Sequence, residues 1–168
     1  YDCDVLVFAT GFDALTGALT RIDPVGADGQ KLSELWADGP ITFLGVMVPR
    51  LPNLFSFSGP GSPSVLANMV LHAEVQVDWA VELMLEAKRR GLTEVEPRRD
   101  AAMAWTLHVG EAAERTLFPR AESSWYLGSN IDGKKRVFMP YIGGFGNYRR
   151  YLDDVAQQGY PGLVLTTR

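Results

Sequence analysis

The longest periodic stretch of the chain lies over residues 63–90. There Val65, Met69, Ala73, Val77, Ala80, Val81 and Met84 recur at helical spacing, with Glu74, Asp78, Glu82 and Glu86 on other faces. The pattern predicts one long helix with its apolar stripe turned to a core. Ser62 can cap the first turn and Pro63 suits the first helical position, while Lys88, Arg89 and Arg90 complement the C-terminal dipole and Gly91 can close the helix. At ~1.5 Å per residue it would run roughly 42 Å, long enough for an internal break. A second helix is expected over 100–117, with Ala102, Trp105, Val109, Ala113, Thr116 and Leu117 on one face and Gly110 costing about 1 kcal/mol relative to alanine. A third is expected over 148–158, capped by Asn147, with Tyr151, Leu152 and Val155 inward and Gly159 as its stop.

The continuous apolar run Val5-Leu6-Val7-Phe8-Ala9 reads as a strand buried on both faces, as at the centre of a parallel sheet. Shorter strand candidates follow at 41–44, 54–57, 136–139 and 163–165, separated by turn signals such as Asp23-Pro24 and Asp38-Gly39-Pro40. The fold class is α/β. A parallel strand needs a crossover, and none precedes residues 5–9. Either its partners come later in the chain or, the favoured expectation, the chain is the C-terminal piece of a larger protein.

Composition narrows the options. The 168 residues are 46% apolar and 21% charged, with 16 basic and 20 acidic groups and a net charge of −4. This is a globular balance, and it argues against disorder and against generic nucleic-acid binding. No apolar stretch reaches the ~18–20 residues of a membrane helix, and no signal segment opens the chain. Neither nucleic acid nor a membrane is an expected partner, and the expected compartment is the cytoplasm. A single cysteine, Cys3, excludes an internal disulfide framework, and two histidines, His72 and His108, leave little for a metal site.

Candidate chemistry gathers at two places. The first is a strand, a glycine-rich turn (Ser58-Gly59-Pro60-Gly61-Ser62) and a helix start at Pro63, where Ser64, Val65 and Leu66 would offer free backbone N–H groups. The helix dipole adds about 0.3–2 kcal/mol for negative charge there, and Gly59 and Gly61 admit a flat or anionic ligand close to the backbone. A tight structural turn explains the same residues equally well. The second is the stretch 123–136, an aromatic pair followed by Asp132-Gly133 and Lys134-Lys135-Arg136. It reads either as a lid with an indole N–H and phosphate-binding lysines or as a surface loop anchored by a buried tryptophan. His72 is expected to pack, His108 to face solvent, and Cys3 to be inert at the start of a buried strand.

Several stretches together resemble the C-terminal third of flavin-dependent Baeyer–Villiger monooxygenases of the phenylacetone, cyclohexanone and steroid type. They are residues 4–13 (DVLVFATGFD), 35–40 (LWADGP), 52–55 (PNLF), 59–69 (GPGSPSVLANM), 124–130 (SWYLGSN), 136–141 (RVFMPY) and 159–165 (GYPGLVL). ATGFD is shared with related flavin monooxygenases, and the tryptophan stretch makes the combination more specific. The resemblance implies an α/β flavoprotein with two dinucleotide-binding domains, of which this chain is an incomplete part. Residues 1–13 would be the last strand and linker of the NADPH domain, and 14–168 the end of the FAD domain.

In such enzymes NADPH reduces FAD, O2 adds to give a flavin peroxide, and a ketone becomes an ester or lactone. By the same resemblance, Gly59, Pro60, Ser64, Val65, Met69 and Trp125 are cofactor-binding residues. So are Thr10, Gly11 and Asp13, in the segment leading from one domain to the other. Ser64, Val65, Leu66 and Met139 would line the substrate pocket. The family's dinucleotide fingerprints, its F-x-G-x-x-x-H signature and its catalytic arginine are not in this sequence, so no catalytic residue is assigned and the chain alone is expected neither to retain FAD nor to oxidise NADPH. The implied partners are a ketone, O2 and the remainder of the enzyme chain. A related flavin N- or S-oxygenase, or a non-catalytic module derived from such an enzyme, remain alternatives.

Overall fold

A computed structural model describes residues 2–9 and 11–167, the Val65 side chain excepted. Its sheet joins two segments far apart in sequence. Strand β1 (Glu94–Pro97) pairs antiparallel with β2 (Leu163–Thr166), Glu94 opposite Thr166 and Pro97 opposite Leu163. Val95 and Pro97 are buried while Glu94 and Glu96 are half-exposed, which is the period-2 alternation of a one-sided strand. Among the described residues this is the whole sheet, and no parallel strand accompanies it.

Helices α1 (Gly17–Ile22) and α2 (Leu32–Leu35) build a small layer in which Leu32, Trp36, Val48 and Leu51 pack together. Helix α3 (Met69–Arg89), helix α4 (Arg99–Glu114) and helix α5 (Phe145–Gln157) surround the main core. Ala102, Trp105, Val109 and Ala113 form the buried face of α4, as its spacing predicts, whereas Leu117 lies beyond the helix and is exposed. Helix α5 begins three residues earlier than expected, capped by Gly144 rather than Asn147, and Tyr151 stays partly exposed while Tyr148 and Leu152 are fully buried.

Helix α3 departs most from expectation. It starts at Met69, not Pro63, because residues 64–66 form a separate 3-10 turn and Ala67 is extended. Asn68 caps it by accepting from the Leu71 N–H at 3.0 Å. Ser62 instead donates its hydroxyl to the Gly59 carbonyl at 2.7 Å. The face turned to the core is His72, Gln76, Trp79, Ala80 and Leu83. The predicted apolar stripe therefore faces outward for the most part, with Met69, Val77, Val81 and Met84 exposed by 41–48%. The helical period holds, but the buried face is turned by about a quarter of a turn from the predicted stripe, and the two share Ala80.

Residues 5–9 form no strand, and Val5, Leu6, Val7 and Phe8 are 68–79% exposed. Cys3, expected to open a buried strand, is exposed as well. The candidates at 41–44 and 54–57 shrink to isolated bridges, Phe43 with Met47 and Met47 with Phe55. Among the described residues no helix is long and apolar enough to cross a membrane, and no cluster of potential metal ligands occurs.

Candidate functional site

The glycine turn is held from every side by polar contacts. Thr42 donates its hydroxyl to the Pro60 carbonyl at 2.9 Å, and Trp105 donates its indole N–H to the Gly61 carbonyl at 3.0 Å. The Gly61 N–H donates to the Met139 carbonyl at 2.7 Å, and the Tyr141 N–H to the Ser62 carbonyl at 2.8 Å. Gly45 faces the same turn: a Cβ there would lie 2.5 Å from the Ser62 nitrogen, and φ is +69°, so only glycine fits without displacement.

A second set of bonds reaches the turn from α3. The Ser58 N–H donates to Gln76 Oε1 at 2.8 Å, Gln76 Nε2 donates to the Tyr148 hydroxyl at 2.6 Å, and that hydroxyl donates to the Leu44 carbonyl at 2.6 Å. Gln76 and Tyr148 are fully buried, so each bond prevents an uncompensated desolvation. Burial pushes the Tyr148 phenol well above its ordinary pKa, with the Gln76 hydrogen bond opposing, and pushes Tyr141 up to about 12. His72 is buried too, and that burial lowers its pKa. His108, expected in solvent, is half-buried and stacked on Tyr141 with centroids 5.6 Å apart.

Trp125 sits in a tight turn in which the Leu127 N–H donates to the Ser124 carbonyl and Gly128 to that of Trp125. The loop joins the glycine turn through one residue: the Met139 N–H donates to the Tyr126 carbonyl at 2.9 Å, while the Met139 carbonyl accepts from Gly61. The expected strand 136–139 is thus an extended segment tied to residues 126–127 and to the glycine turn. The Trp125 ring lies 4.1 Å from that of Tyr126, and its indole N–H meets no acceptor among the described residues. The lysines predicted to be free for phosphate are engaged: Lys134 pairs with Asp13, and Lys135 lies 3.9 Å from Asp38.

The predicted site residues fall into three groups. Gly59, Pro60, Ser64 and Met139 are buried in the wall itself, and Leu66 and Met69 are 39% and 41% exposed at its edge. The Leu66 N–H is not free, because it donates to the Pro63 carbonyl at 3.2 Å. Gly11 and Asp13 lie against the tryptophan loop, where Asn130 donates to the Phe12 carbonyl and Lys134 pairs with Asp13. Thr10 and the Val65 side chain lie outside the described residues. A cleft of about 300 Å³ borders Asp13, Thr16, Trp36, Lys134 and Met139, but not Trp125 or the glycine turn. Thr42, Gly45, Gln76, Trp105 and Tyr148, which fix the wall, carry no motif. A glutamine and a histidine four residues apart on one helix face were the available signal for the buried side of α3.

No family model matches the chain. Its fold is that of a segment of a flavin monooxygenase. Cyclohexanone monooxygenase from Rhodococcus sp. Phi1, crystallised with NADP+, superposes with a TM-score of 0.93 at 38% identity, covering 100% of this chain and 31% of that one. Acetone monooxygenase (methyl acetate-forming) of Gordonia sp. strain TY-5 is 40% identical over 167 residues, 99% of this chain and 31% of its own length. Phenazine N-monooxygenase of Lysobacter antibioticus is 38% identical over 162 residues, 96% of this chain and 29% of its own. The chain spans about 30% of the length of the curated relatives it matches. Along that shared length it is a homologue of Baeyer–Villiger-type flavin monooxygenases.

Proposed function

We propose that this chain is the C-terminal portion of an FAD- and NADPH-dependent cytoplasmic monooxygenase that inserts one oxygen atom of O2 into a ketone, giving an ester or lactone. The observation that carries the reading is the hydrogen-bonded link Tyr126–Met139–Gly61, which ties the tryptophan loop to the glycine turn and supports their serving one site. Two further features suit a flavin. Exposed Leu66 and Met69 flank the start of the 21-residue helix α3, offering apolar contact to a flat ring beside a positive dipole end. The Trp125 indole N–H, which meets no acceptor among the described residues, can donate to a nicotinamide cofactor. The flavin, once bound, supplies the redox chemistry with NADPH and O2.

This chain's residues then do the positioning. Gly59, Pro60, Ser64, Val65, Met69 and Trp125 bind the cofactors, and Ser64, Val65, Leu66 and Met139 line the substrate pocket. Thr10, Gly11 and Asp13 belong to the segment connecting the two cofactor domains, residues 1–13 ending the NADPH domain. The remaining walls come from the rest of the enzyme, whose contact area the outward stripe of α3 and residues 5–8 supply.

The test is flavin absorbance and NADPH oxidation in the complete gene product, with cyclohexanone and acetone as ketones. Ketone-stimulated NADPH consumption with one ester per NADPH is expected; a colourless protein that consumes no NADPH overturns the proposal. A second reading, N-oxygenation, draws on the equally similar phenazine N-monooxygenase. NADPH consumption coupled to a phenazine and not to ketones selects it.

A further inference from the structure

Lys134 touches both halves of the contact between the tryptophan loop and the segment 11–16. Its ammonium group meets the Asp13 carboxylate and lies 2.6 Å from the Thr16 hydroxyl. Its aliphatic stem crosses Gly128, where a Cβ would stand 3.1 Å from Lys134 Cδ. Gly128 in turn donates its N–H to the Trp125 carbonyl at 3.3 Å and has φ +68°, so the turn presenting the indole closes directly beneath the lysine. The pair is partly shielded, with side-chain exposures of 20% for Lys134 and 27% for Asp13, so salt and water screen it less than a surface pair. One more bond, Asn130 Nδ2 to the Phe12 carbonyl at 3.0 Å, crosses the same gap. Beside them lies the cleft of about 300 Å³, so at this gap polar bonds rather than close packing hold the loop.

We infer that Lys134 is a positioning residue, latching the turn that carries Trp125 to the segment leading between the two cofactor domains. The inference rests on the function proposed above and adds its coupling: Trp125 reaches the nicotinamide cofactor only while residues 11–16 are docked. Breaking the latch leaves every proposed flavin and substrate contact in place and weakens nicotinamide binding.

The experiment uses the complete enzyme with Lys134→Gln and Lys134→Arg. Hydrogen exchange is read over residues 124–134, together with KM for NADPH, kcat, flavin content and Tm. For Lys134→Gln, exchange in the loop and KM for NADPH should each rise about tenfold, a typical coupling between sites. Flavin content, Tm and kcat at saturating NADPH should hold within about twofold or a degree or two, and Lys134→Arg should restore at least half of both changes. Unchanged exchange in Lys134→Gln overturns the latch, whether or not the enzyme is active. Raised exchange with unchanged KM overturns the coupling, and parallel losses of Tm, flavin and kcat show a merely structural lysine. An unmodified enzyme that oxidises no NADPH defeats the functional reading instead, and the exchange measurement still decides the latch.

Discussion

The inner and outer sides of α3 solve opposite problems. Inward, a glutamine and a tryptophan are buried, and each is matched: Gln76 to Ser58 and Tyr148, and the Trp79 indole N–H to the Leu152 carbonyl at 3.1 Å. Outward, Met69, Val70, Val77, Val81, Met84 and Leu85 stand 41–68% exposed with no element of the described chain over them. Polar groups can be interior when their bonds are complete, and apolar groups can be exterior when another surface covers them. Hydrophobicity alone therefore does not tell which side of this helix meets its own chain.

The contrast can be broken hardest on the inner side. Gly45→Ala should unfold the wall, since both the 2.5 Å approach to Ser62 and the positive φ forbid the methyl; a loss above about 3 kcal/mol is expected from urea denaturation. Val81→Asp sharpens the outer side. In the complete protein it should cost about 2–4 kcal/mol by burying a carboxylate, and in the isolated chain less than about 0.5 kcal/mol; equal losses in both would show that nothing covers the stripe. Tyr148→Phe removes the hydroxyl that links Gln76 to Leu44 and should cost about 1–3 kcal/mol, measured the same way.

The smallest effect is the dependence on alkali. Tyr141 and Tyr148 have folded pKa values raised above the unfolded value near 10, so the folded state holds its phenolic protons longer. Their contribution is complete below about pH 10 and is lost as pH rises through the folded values, about 12 for Tyr141. The urea midpoint should fall as pH rises from about 10 towards 12, and Tyr148→Phe should flatten that slope.

Local pattern made the existence of α3, α4, α5 and β2 legible. It missed β1 because Glu94-Val95-Glu96-Pro97 is half acidic and ends in proline, and it becomes a strand only through a partner about 70 residues away. It misread residues 5–9 because an apolar run reports that burial is required and not which chain provides it. Of the site, the glycine turn and Trp125 stood out as motifs. Their connection through Met139, and the supports at Thr42, Gly45, Gln76 and Tyr148, are long-range contacts that no spacing rule encodes.

Arg136 grips the carbonyls of Pro119 and Ala121 at 2.7 Å and of Glu122 at 3.3 Å. The guanidinium therefore fastens the way into the tryptophan loop to the way out, as a drawstring closes a purse. A protease nick at a peptide bond between those points would leave two ends still tied at the neck, so the severed protein should run as two bands under denaturing conditions and as one species under native ones.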